Sequence, residues 1–317
     1  QKLLATFPAG ILQHGGDAPW PTGGNVLLRE SLDEKELAEA EAWLRTWLTP
    51  TTSILSTLPA AVLEDPRWER GQELLRVGLG QEARTELDAL RRDWADDPQA
   101  LYALSLAFRD LGLYRQSLLC AQRLVYLSPA ERIDDAPRLL QRLVYPVFFA
   151  DLIILQAQAH ELDPLLLCAL IWQESLFDPQ IASWAGARGL MQIMPTTGEW
   201  IAQRLKEHNF TTAHLERPVI SLRYGAWFLR QALDDFSGDV FAALAGYNAG
   251  PANAARWRER AGAEHYDLFV ETITAPETYQ YVQRIYELYH RYRSLYSGMG
   301  AAGNCPPRSA WIANPGP

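Results

Sequence analysis

Apolar residues recur at helical intervals along much of the first half of the chain. The segment SLDEKELAEAEAWLRTWL repeats Leu, Ala and Trp at spacings of three and four, which is the period of one helix face. Ser31 opens this segment and Glu34 follows three positions later, so we expect a capping box with Ser31 as the N-cap. No alternating strand pattern of useful length occurs in the chain. The pattern therefore predicts an all-α fold.

Residues 71 to 129 have the pattern of successive short helices. Turn-forming residues interrupt the pattern at Gly78, Asp97-Pro98, Gly112 and Ser128-Pro129. Helical hairpins of this kind bury their apolar faces by stacking on their neighbours. Residues 31–143 are therefore predicted to form an α-helical repeat domain, a superhelical array of helical hairpins. Because this domain carries no chemical motif, its simplest interpretation is a scaffold.

The composition of the segments between predicted helices changes near residue 144. Helical patterns continue to residue 296, but their connections now carry clusters of Gly, Gln, Tyr and Asn. We predict a second domain over residues 144–296, an irregular Pro/Gly-rich lead-in over 1–30 and a flexible tail over 297–317. The helices predicted in the second domain are Phe148–Glu161, Pro164–Ser175, Thr196–Glu207, Ile220–Phe236, Asp239–Tyr247, Ala252–Arg260 and Pro276–Tyr296.

Charge and apolar run length exclude several classes of protein. The 317 residues carry a net charge of −9 and no block of Lys and Arg, so nucleic acid is not an expected partner. Apolar runs such as residues 165–172 fall well short of the roughly 20 residues that a membrane-spanning helix needs. No basic stretch followed by an apolar run opens the chain, so we expect a secretion signal to be absent or already removed.

Three cysteines and six histidines do not point to a metal site. Cys120, Cys168 and Cys305 lie far apart, which fits neither a disulfide framework nor a zinc site. The histidines have no ligand spacing. We therefore expect neither a metal nor an organic cofactor.

One acidic residue follows an almost wholly apolar helical run in ALIWQESLFDP. Asp163-Pro164 is a typical helix start, which places Glu174 in the last turn of that helix. The helix dipole and neighbours such as Ile171 and Phe177 would both raise the pKa of Glu174. A carboxyl group that stays protonated near neutral pH is what a general acid needs. The alternative is an exposed helix-end residue that faces water.

A second cluster is SWAGARGLMQIMPTTG, residues 183 to 198. Gly186 and Gly189 permit a tight turn and a close backbone approach. Gln192 is an amide among apolar residues, which suits recognition of a polar, uncharged ligand. The alternative is a core loop in which Gln192 faces solvent.

Two further clusters end or begin helices. In ALAGYNAGP, Tyr247 lies at a helix end, where its hydroxyl could reach Glu174 or a sugar. In APETYQYVQRIYELY, Glu277 lies in the first turn, a position that the helix dipole alone explains. Asp178 precedes a proline, so we expect a turn role for it rather than a catalytic one. Tyr279 and Tyr286 are among the residues expected to face the core.

The ordered motifs ALIWQES, GARGLMQIMP, ALAGYNAGP and PETYQYV resemble those of the soluble lytic transglycosylase family, the Slt70-like branch of the lysozyme-like superfamily. The resemblance covers residues 143 to 296 and, more weakly, the helical array. It implies a lysozyme-like catalytic domain that cleaves the β-1,4 bond between N-acetylmuramic acid and N-acetylglucosamine in peptidoglycan, with formation of a 1,6-anhydro ring. It also implies a periplasmic or other extracytoplasmic location.

The resemblance assigns roles to particular residues. Glu174 would be the catalytic acid and base, and Glu277 would be a second family glutamate near the site. Ser221 and Tyr279 stand where the family often has Asn and Arg. The residues that would bind substrate are Ser183, Gln192 and Met194, which would line the sugar cleft, and Tyr247 and Asn248, which would support Glu174 or an acetamido group.

Two other functions remain open at this point. The first is a hydrolytic, goose-type lysozyme-like muramidase in which Asp178 or another acid holds a water molecule. The second is a non-catalytic scaffold that only binds peptidoglycan. In each case the expected partners are peptidoglycan glycan strands, and the helical array would offer a surface to cell-wall proteins.

Overall fold

The structure is a computed structural model that describes residues 32–49, 54–262 and 268–296. These residues divide into two compact units, with the boundary between Phe148 and Phe149. The sequence had placed this boundary after residue 143. The predicted lead-in (1–30), the tail (297–317), Cys305 and the predicted N-cap Ser31 lie outside the described residues.

In the N-terminal unit, residues 32–148, the described secondary structure consists of helices joined by loops and turns. A short 3₁₀-helix, Ile133–Asp135, precedes its last α-helix. The α-helices are α1 (Glu34–Arg45), α2 (Ala60–Leu63), α3 (Pro66–Arg76), α4 (Gly80–Asp93), α5 (Pro98–Asp110), α6 (Tyr114–Leu127) and α7 (Arg138–Val144).

Helical hairpins form where the turn residues predicted them. Helices α3 and α4 pack against each other, as do α5 and α6. Gly78 and Gly112 adopt positive φ between the paired helices, a conformation that glycine adopts without steric cost. The cap of α1 differs from the prediction, because the carboxylate of Asp33 accepts the Lys35 backbone N–H at 2.8 Å. Helix α1 begins at Glu34, so the N-cap position, directly before the first helical residue, is Asp33 and not Ser31.

The C-terminal unit, residues 149–296, contains the other helices. The described residues contain no β-strand. Their β-type pairing consists of two isolated bridges, one between Ala182 and Arg188 and one between Arg188 and Ile193. A 3₁₀-helix spans Thr212–Glu216. The α-helices are α8 (Ala150–Ala159), α9 (Pro164–Ser175), α10 (Pro195–Arg204), α11 (Pro218–Asp235), α12 (Val240–Ala249), α13 (Pro251–Ala261), α14 (Phe269–Thr272) and α15 (Pro276–Tyr296).

Helix α9 is buried on nearly all sides and packs against α8 and α15. Its apolar composition explains this, since a helix without a polar face must lie in a core. Asp163 accepts the Leu165 N–H at 2.8 Å, and its other oxygen accepts the Tyr289 hydroxyl of α15 at 2.5 Å. The first turn of α9 is thereby tied to α15. None of the described helices is both long and apolar enough to cross a membrane.

Candidate active site

Glu174 lies in the last turn of α9, where the chain leaves the helix through an unusual backbone. Leu176 and Phe177 both have positive φ, 51° and 63°, which is uncommon for residues with a side chain. The buried Phe177 ring anchors this turn in the core, and the Asp178 backbone N–H donates to the Ser175 carbonyl at 3.1 Å. Backbone strain of this kind persists only where the surrounding packing holds it. The end of α9 is therefore held in place beside Glu174.

The Glu174 carboxyl group is deeply surrounded by protein, although the residue as a whole is only partly buried. Loss of solvation raises its pKa from an ordinary value of 4.5 to about 7. The Tyr281 hydroxyl donates a hydrogen bond to Glu174 Oε1, which favours the ionised form and opposes part of this rise. A carboxyl group with this pKa is protonated in a large fraction of molecules near neutral pH, as a general acid requires.

Two tyrosines, Tyr247 and Tyr281, lie near the Glu174 carboxyl group. Burial raises the pKa of Tyr247 and of Tyr281 well above 10, and the nearby charge of Glu174 adds to both shifts. Both phenols therefore stay protonated and can act as hydrogen-bond donors. Tyr247 lies near enough to Glu174 for the charge of Glu174 to act on it, but its hydroxyl, which the sequence analysis expected to reach Glu174 or a sugar, donates to the Met191 carbonyl.

Sequence reasoning missed Tyr281. It assigned Tyr279 and Tyr286 to the buried face of α15, but both are only half-buried, whereas Tyr281 is 5% exposed. The other members of the predicted stripe, Val282, Ile285 and Tyr289, are buried as expected, and the buried face extends to Thr278 and Tyr281 instead of Tyr279 and Tyr286. The second aromatic residue of PETYQYV, in phase with that face, was the available signal.

The loop after Gly189 is held from several sides by hydroxyl groups. The Tyr247 hydroxyl donates to the Met191 carbonyl at 2.8 Å, and the Ser221 hydroxyl accepts the Met191 N–H at 3.2 Å. Ser175, the residue after Glu174, donates to the Leu190 carbonyl at 2.9 Å. Tyr247 thus fixes the loop beside the acid rather than donating to the acid. Ser221, where the resemblance led us to expect Asn, still provides a buried anchor.

Gly189 makes the close approach that the sequence predicted. A Cβ atom at this position would lie 1.9 Å from the Leu215 carbonyl oxygen, and the φ of Gly189 is +79°. Gly186 also has positive φ, +91°, but a Cβ atom there would meet nothing within 4 Å. Of these two glycines, Gly189 alone is required by packing as well as by backbone conformation.

The polar side chains of this loop make hydrogen bonds within the loop. Gln192 has a φ of 45°, and its Nε2 donates to the carbonyls of Ile181 and Gly189 at 3.2 and 2.9 Å. The Ser183 hydroxyl accepts the Ala187 N–H at 3.0 Å. Both side chains therefore shape the loop. Besides these bonds, Gln192 has its amide oxygen as an acceptor, and Ser183 has its O–H donor and a second lone pair.

Met194 is the N-cap residue of α10 and is 39% exposed, which is high for a large apolar side chain. Glu277 is exposed in the first turn of α15, one helical turn before Tyr281. Asn248 Oδ1 accepts the Thr278 hydroxyl at 2.7 Å, a contact that joins the end of α12 to the start of α15. Asn248 and Glu277 are thereby brought to the same helix junction.

Asp178 has the turn role that its position before a proline predicted. Its carboxylate accepts the Gln180 backbone N–H at 3.0 Å, and the residue is 7% exposed. Among the described residues, no cluster of His, Cys, Asp and Glu is arranged to hold a metal ion. The chemistry that the site itself offers is proton transfer by one carboxyl group beside two phenols.

Comparison with protein families finds that residues 151–270 match the family described as "Transglycosylase SLT domain". The chain is 28% identical over 240 residues to the soluble lytic murein transglycosylase of Escherichia coli (strain K12), which covers 74% of this chain and 35% of that relative. It is 38% identical over 98 residues to the transglycosylase of Enterobacteria phage PRD1, covering 31% of this chain and 33% of the phage protein. The chain thus spans about a third of the length of these curated relatives.

Solved structures show the same fold. The 70 kDa soluble lytic transglycosylase of Escherichia coli matches with a TM-score of 0.63 at 22% identity, over 83% of this chain and 41% of that one. The match confirms the all-α, lysozyme-like fold class predicted from the sequence.

Proposed function

We propose that the chain is a peptidoglycan lytic transglycosylase, because its residues 151–270 match the transglycosylase SLT domain. It cleaves the β-1,4 bond between N-acetylmuramic acid and N-acetylglucosamine and leaves a 1,6-anhydromuramoyl end. The observation that carries this proposal is Glu174, a desolvated acid with a pKa of about 7 at the end of a buried helix.

Glu174 acts first as the acid and then as the base. Its proton passes to the glycosidic oxygen as the bond from that oxygen to the muramic C1 breaks. The acetamido oxygen of the muramic sugar attacks C1 and stabilises the developing positive charge, as in substrate-assisted glycosidases. The ionised Glu174 then takes the proton of the C6 hydroxyl, whose oxygen attacks C1 and displaces the acetamido oxygen. Glu174 ends protonated, and no water is consumed.

The surroundings of Glu174 suit both steps. Burial favours the neutral acid before cleavage, and the Tyr281 hydroxyl stabilises the carboxylate formed after it. A pKa near the working pH lets one group both donate and accept a proton.

The substrate-binding residues belong to the proposal as well. Ser183, Gln192 and Met194 lie on the segment that runs from the glycine loop to the start of α10, and this segment would line the sugar cleft. Asn248 and Glu277, together at the junction of α12 and α15, would contact an acetamido group or a sugar hydroxyl. The partly exposed Met194 offers an apolar surface to a sugar face.

The hydrolytic alternative has less support. It requires an acid that activates a water molecule, and Asp178 was the candidate. The Asp178 carboxylate accepts a backbone N–H in a turn and is nearly buried, so it is poorly available for that task. A protein that only binds peptidoglycan would not need a buried carboxyl group with a raised pKa, so the non-catalytic alternative does not account for Glu174.

Peptidoglycan lies outside the cytoplasmic membrane, so a periplasmic or other extracytoplasmic location follows from this proposal. Glycan strands are the proposed partners. The N-terminal helical array would contribute surface for cell-wall proteins.

The test is digestion of purified peptidoglycan sacculi followed by mass spectrometry of the soluble products. We expect muropeptides with anhydro ends, each lighter by one water than the product of hydrolysis. Glu174→Gln should fold and lose turnover by at least about 10²-fold. Glu259→Gln, which changes an exposed glutamate on α13, is the matched control and should keep wild-type turnover. Products with reducing ends would support the muramidase, and soluble product from Glu174→Gln would reject the role of Glu174.

A further inference from the structure

A chain of aromatic rings leads away from the candidate active site. Tyr247, beside Glu174, packs against Phe228 of α11 with ring centroids 5.2 Å apart. Phe228 meets Trp200 of α10 edge to face at 6.4 Å, and Trp200 meets Trp227 in the same manner at 5.4 Å. Three elements of one unit thus supply a continuous aromatic path that begins at the acid.

The far end of this path reaches solvent. Trp200 is 38% exposed, and Trp227 is only half-buried. The guanidinium of Arg204, one turn after Trp200, lies 5.1 Å from the Trp200 ring centroid, a cation–π contact that restrains the ring. We call Trp200, Trp227 and Arg204 the aromatic platform. Because the two partly exposed indole rings lie in contact, their outer edges form one contiguous apolar surface, the kind of surface that marks a binding site.

We propose that the aromatic platform is an accessory subsite that stacks on a sugar ring of the glycan strand, away from the bond that is cleaved. This proposal rests on the proposed function, because it extends the same substrate along the surface. A pyranose ring carries a face of C–H groups that fits an indole plane, and its hydroxyl groups remain in water. Trp supplies a large, rigid apolar surface for such contacts at low cost in conformational entropy.

The features of the platform favour sugar over the peptide stems of peptidoglycan. Stem peptides carry carboxylates and amines, which would call for several charged partners at the surface. The cation of the platform, Arg204, is already placed over Trp200. Continuity with Tyr247 also argues for the glycan, since the strand that passes Glu174 is the part of the substrate that can follow the path.

The platform predicts a dependence on the length of the glycan. The probes are peptide-free peptidoglycan strands, one of four sugars and one of eight or more, digested by wild type and by Trp200→Ala. We expect kcat/KM on the long strand to fall by about tenfold in Trp200→Ala, through KM, because one aromatic stacking contact is lost. The value for the short strand should change much less. Trp200→Phe, which keeps a ring, should be intermediate on the long strand.

A matched control exists in the N-terminal unit. Tyr126 is 36% exposed and has Arg123 placed 5.1 Å from its ring centroid, the same kind of contact at the same distance. Tyr126→Ala should therefore leave both rates unchanged. Equal losses of Trp200→Ala on short and long strands, or no loss on the long strand, would overturn the platform. A loss that occurs only when peptide stems are present would instead assign the surface to peptide.

A binding measurement separates this proposal from the proposed function. Isothermal titration calorimetry measures the affinity of Glu174→Gln and of Glu174→Gln/Trp200→Ala for the long strand, and it needs no turnover. Weaker binding of the double variant, by about tenfold, supports the platform even if wild type cleaves nothing. Equal binding of the two proteins rejects the platform even if wild type is an active transglycosylase.

Discussion

The Tyr281 hydroxyl of α15 donates a hydrogen bond to Oε1 of Glu174 at the end of α9, although the two residues are 107 positions apart in the sequence. Burial of the carboxyl group raises its pKa, and this hydrogen bond lowers it by a smaller amount. The resulting pKa of about 7 is a balance between the two effects. Each side of this balance can be changed separately.

Removing the Tyr281 hydroxyl should raise the pKa of Glu174 further, because the ionised form loses a donor. In Tyr281→Phe the alkaline limb of the pH profile of kcat/KM should therefore move to higher pH. The turnover at neutral pH should also fall by about tenfold, since the acid is less well positioned and its carboxylate less stabilised.

The matched control for that variant is Tyr279→Phe, a half-buried tyrosine two positions earlier on α15. Its pH profile should coincide with that of wild type. An alkaline limb that stays in place or moves to lower pH in Tyr281→Phe would contradict the balance described above.

The raised pKa of Glu174 also predicts how stability depends on pH. The unfolded chain ionises Glu174 near pH 4.5 and the folded chain near pH 7, so the folded state loses stability as pH rises between these values. Glu174→Gln has no charge to bury. It should be more stable than wild type by about 3 kcal/mol above pH 7, and this difference should vanish below about pH 4.5.

Urea unfolding of both proteins at the two pH values measures this difference, with Glu259→Gln as a control at an exposed position. A Glu174→Gln variant that is less stable than wild type in alkaline solution would show that the carboxyl group is not desolvated.

Gly189 and Gly186 distinguish two reasons why a position requires glycine: a positive φ, which both have, and a lack of space for a Cβ atom, which applies to Gly189. Gly189→Ala should destabilise the C-terminal unit by more than about 3 kcal/mol, because the new methyl group would overlap the Leu215 carbonyl oxygen. Gly186→Ala, at similar φ but in open space, should cost only about 1 kcal/mol. Thermal unfolding compares the two variants directly. Similar losses would mean that backbone conformation alone accounts for both glycines.

Tyr247→Phe tests the support of the glycine loop. The variant leaves the Met191 carbonyl without its 2.8 Å donor, at a cost of about 1–3 kcal/mol, and lets the loop beside Glu174 move. We expect reduced but measurable turnover. Ser221→Ala removes the partner of the Met191 N–H and should weaken turnover in the same way. Complete loss of activity in Tyr247→Phe, with the fold intact, would point to a direct role in the reaction.

Much of the local structure was predictable. The bounds of α9 and α15 agree with those read from the sequence, because Asp163-Pro164 and Pro276 are strong helix starts. Glu174 could be identified because it ends an almost wholly apolar run and lies in the first of four ordered motifs. The cap of α1 was predicted wrongly, since Ser31 and Asp33 both suit an N-cap and only the first turn of the helix decides between them.

Contacts between distant segments could not be predicted. Tyr281 was missed because half a helical turn separates it from Tyr279, and only the packing of α15 on α9 decides which ring enters the core. The aromatic path from Tyr247 to Trp200 was missed for the same reason. Its members come from α10, α11 and α12, and no spacing in the sequence connects them.

By itself, the sequence determined most of the helices, their turns and the acid at the end of an apolar run, because these depend on neighbours within a few residues. The tertiary structure decided how far the pKa of that acid rises, which tyrosine opposes the rise, and which rings reach solvent beyond it. Those properties depend on what lies within a few ångströms in space, and the packing of helices far apart in sequence sets that environment.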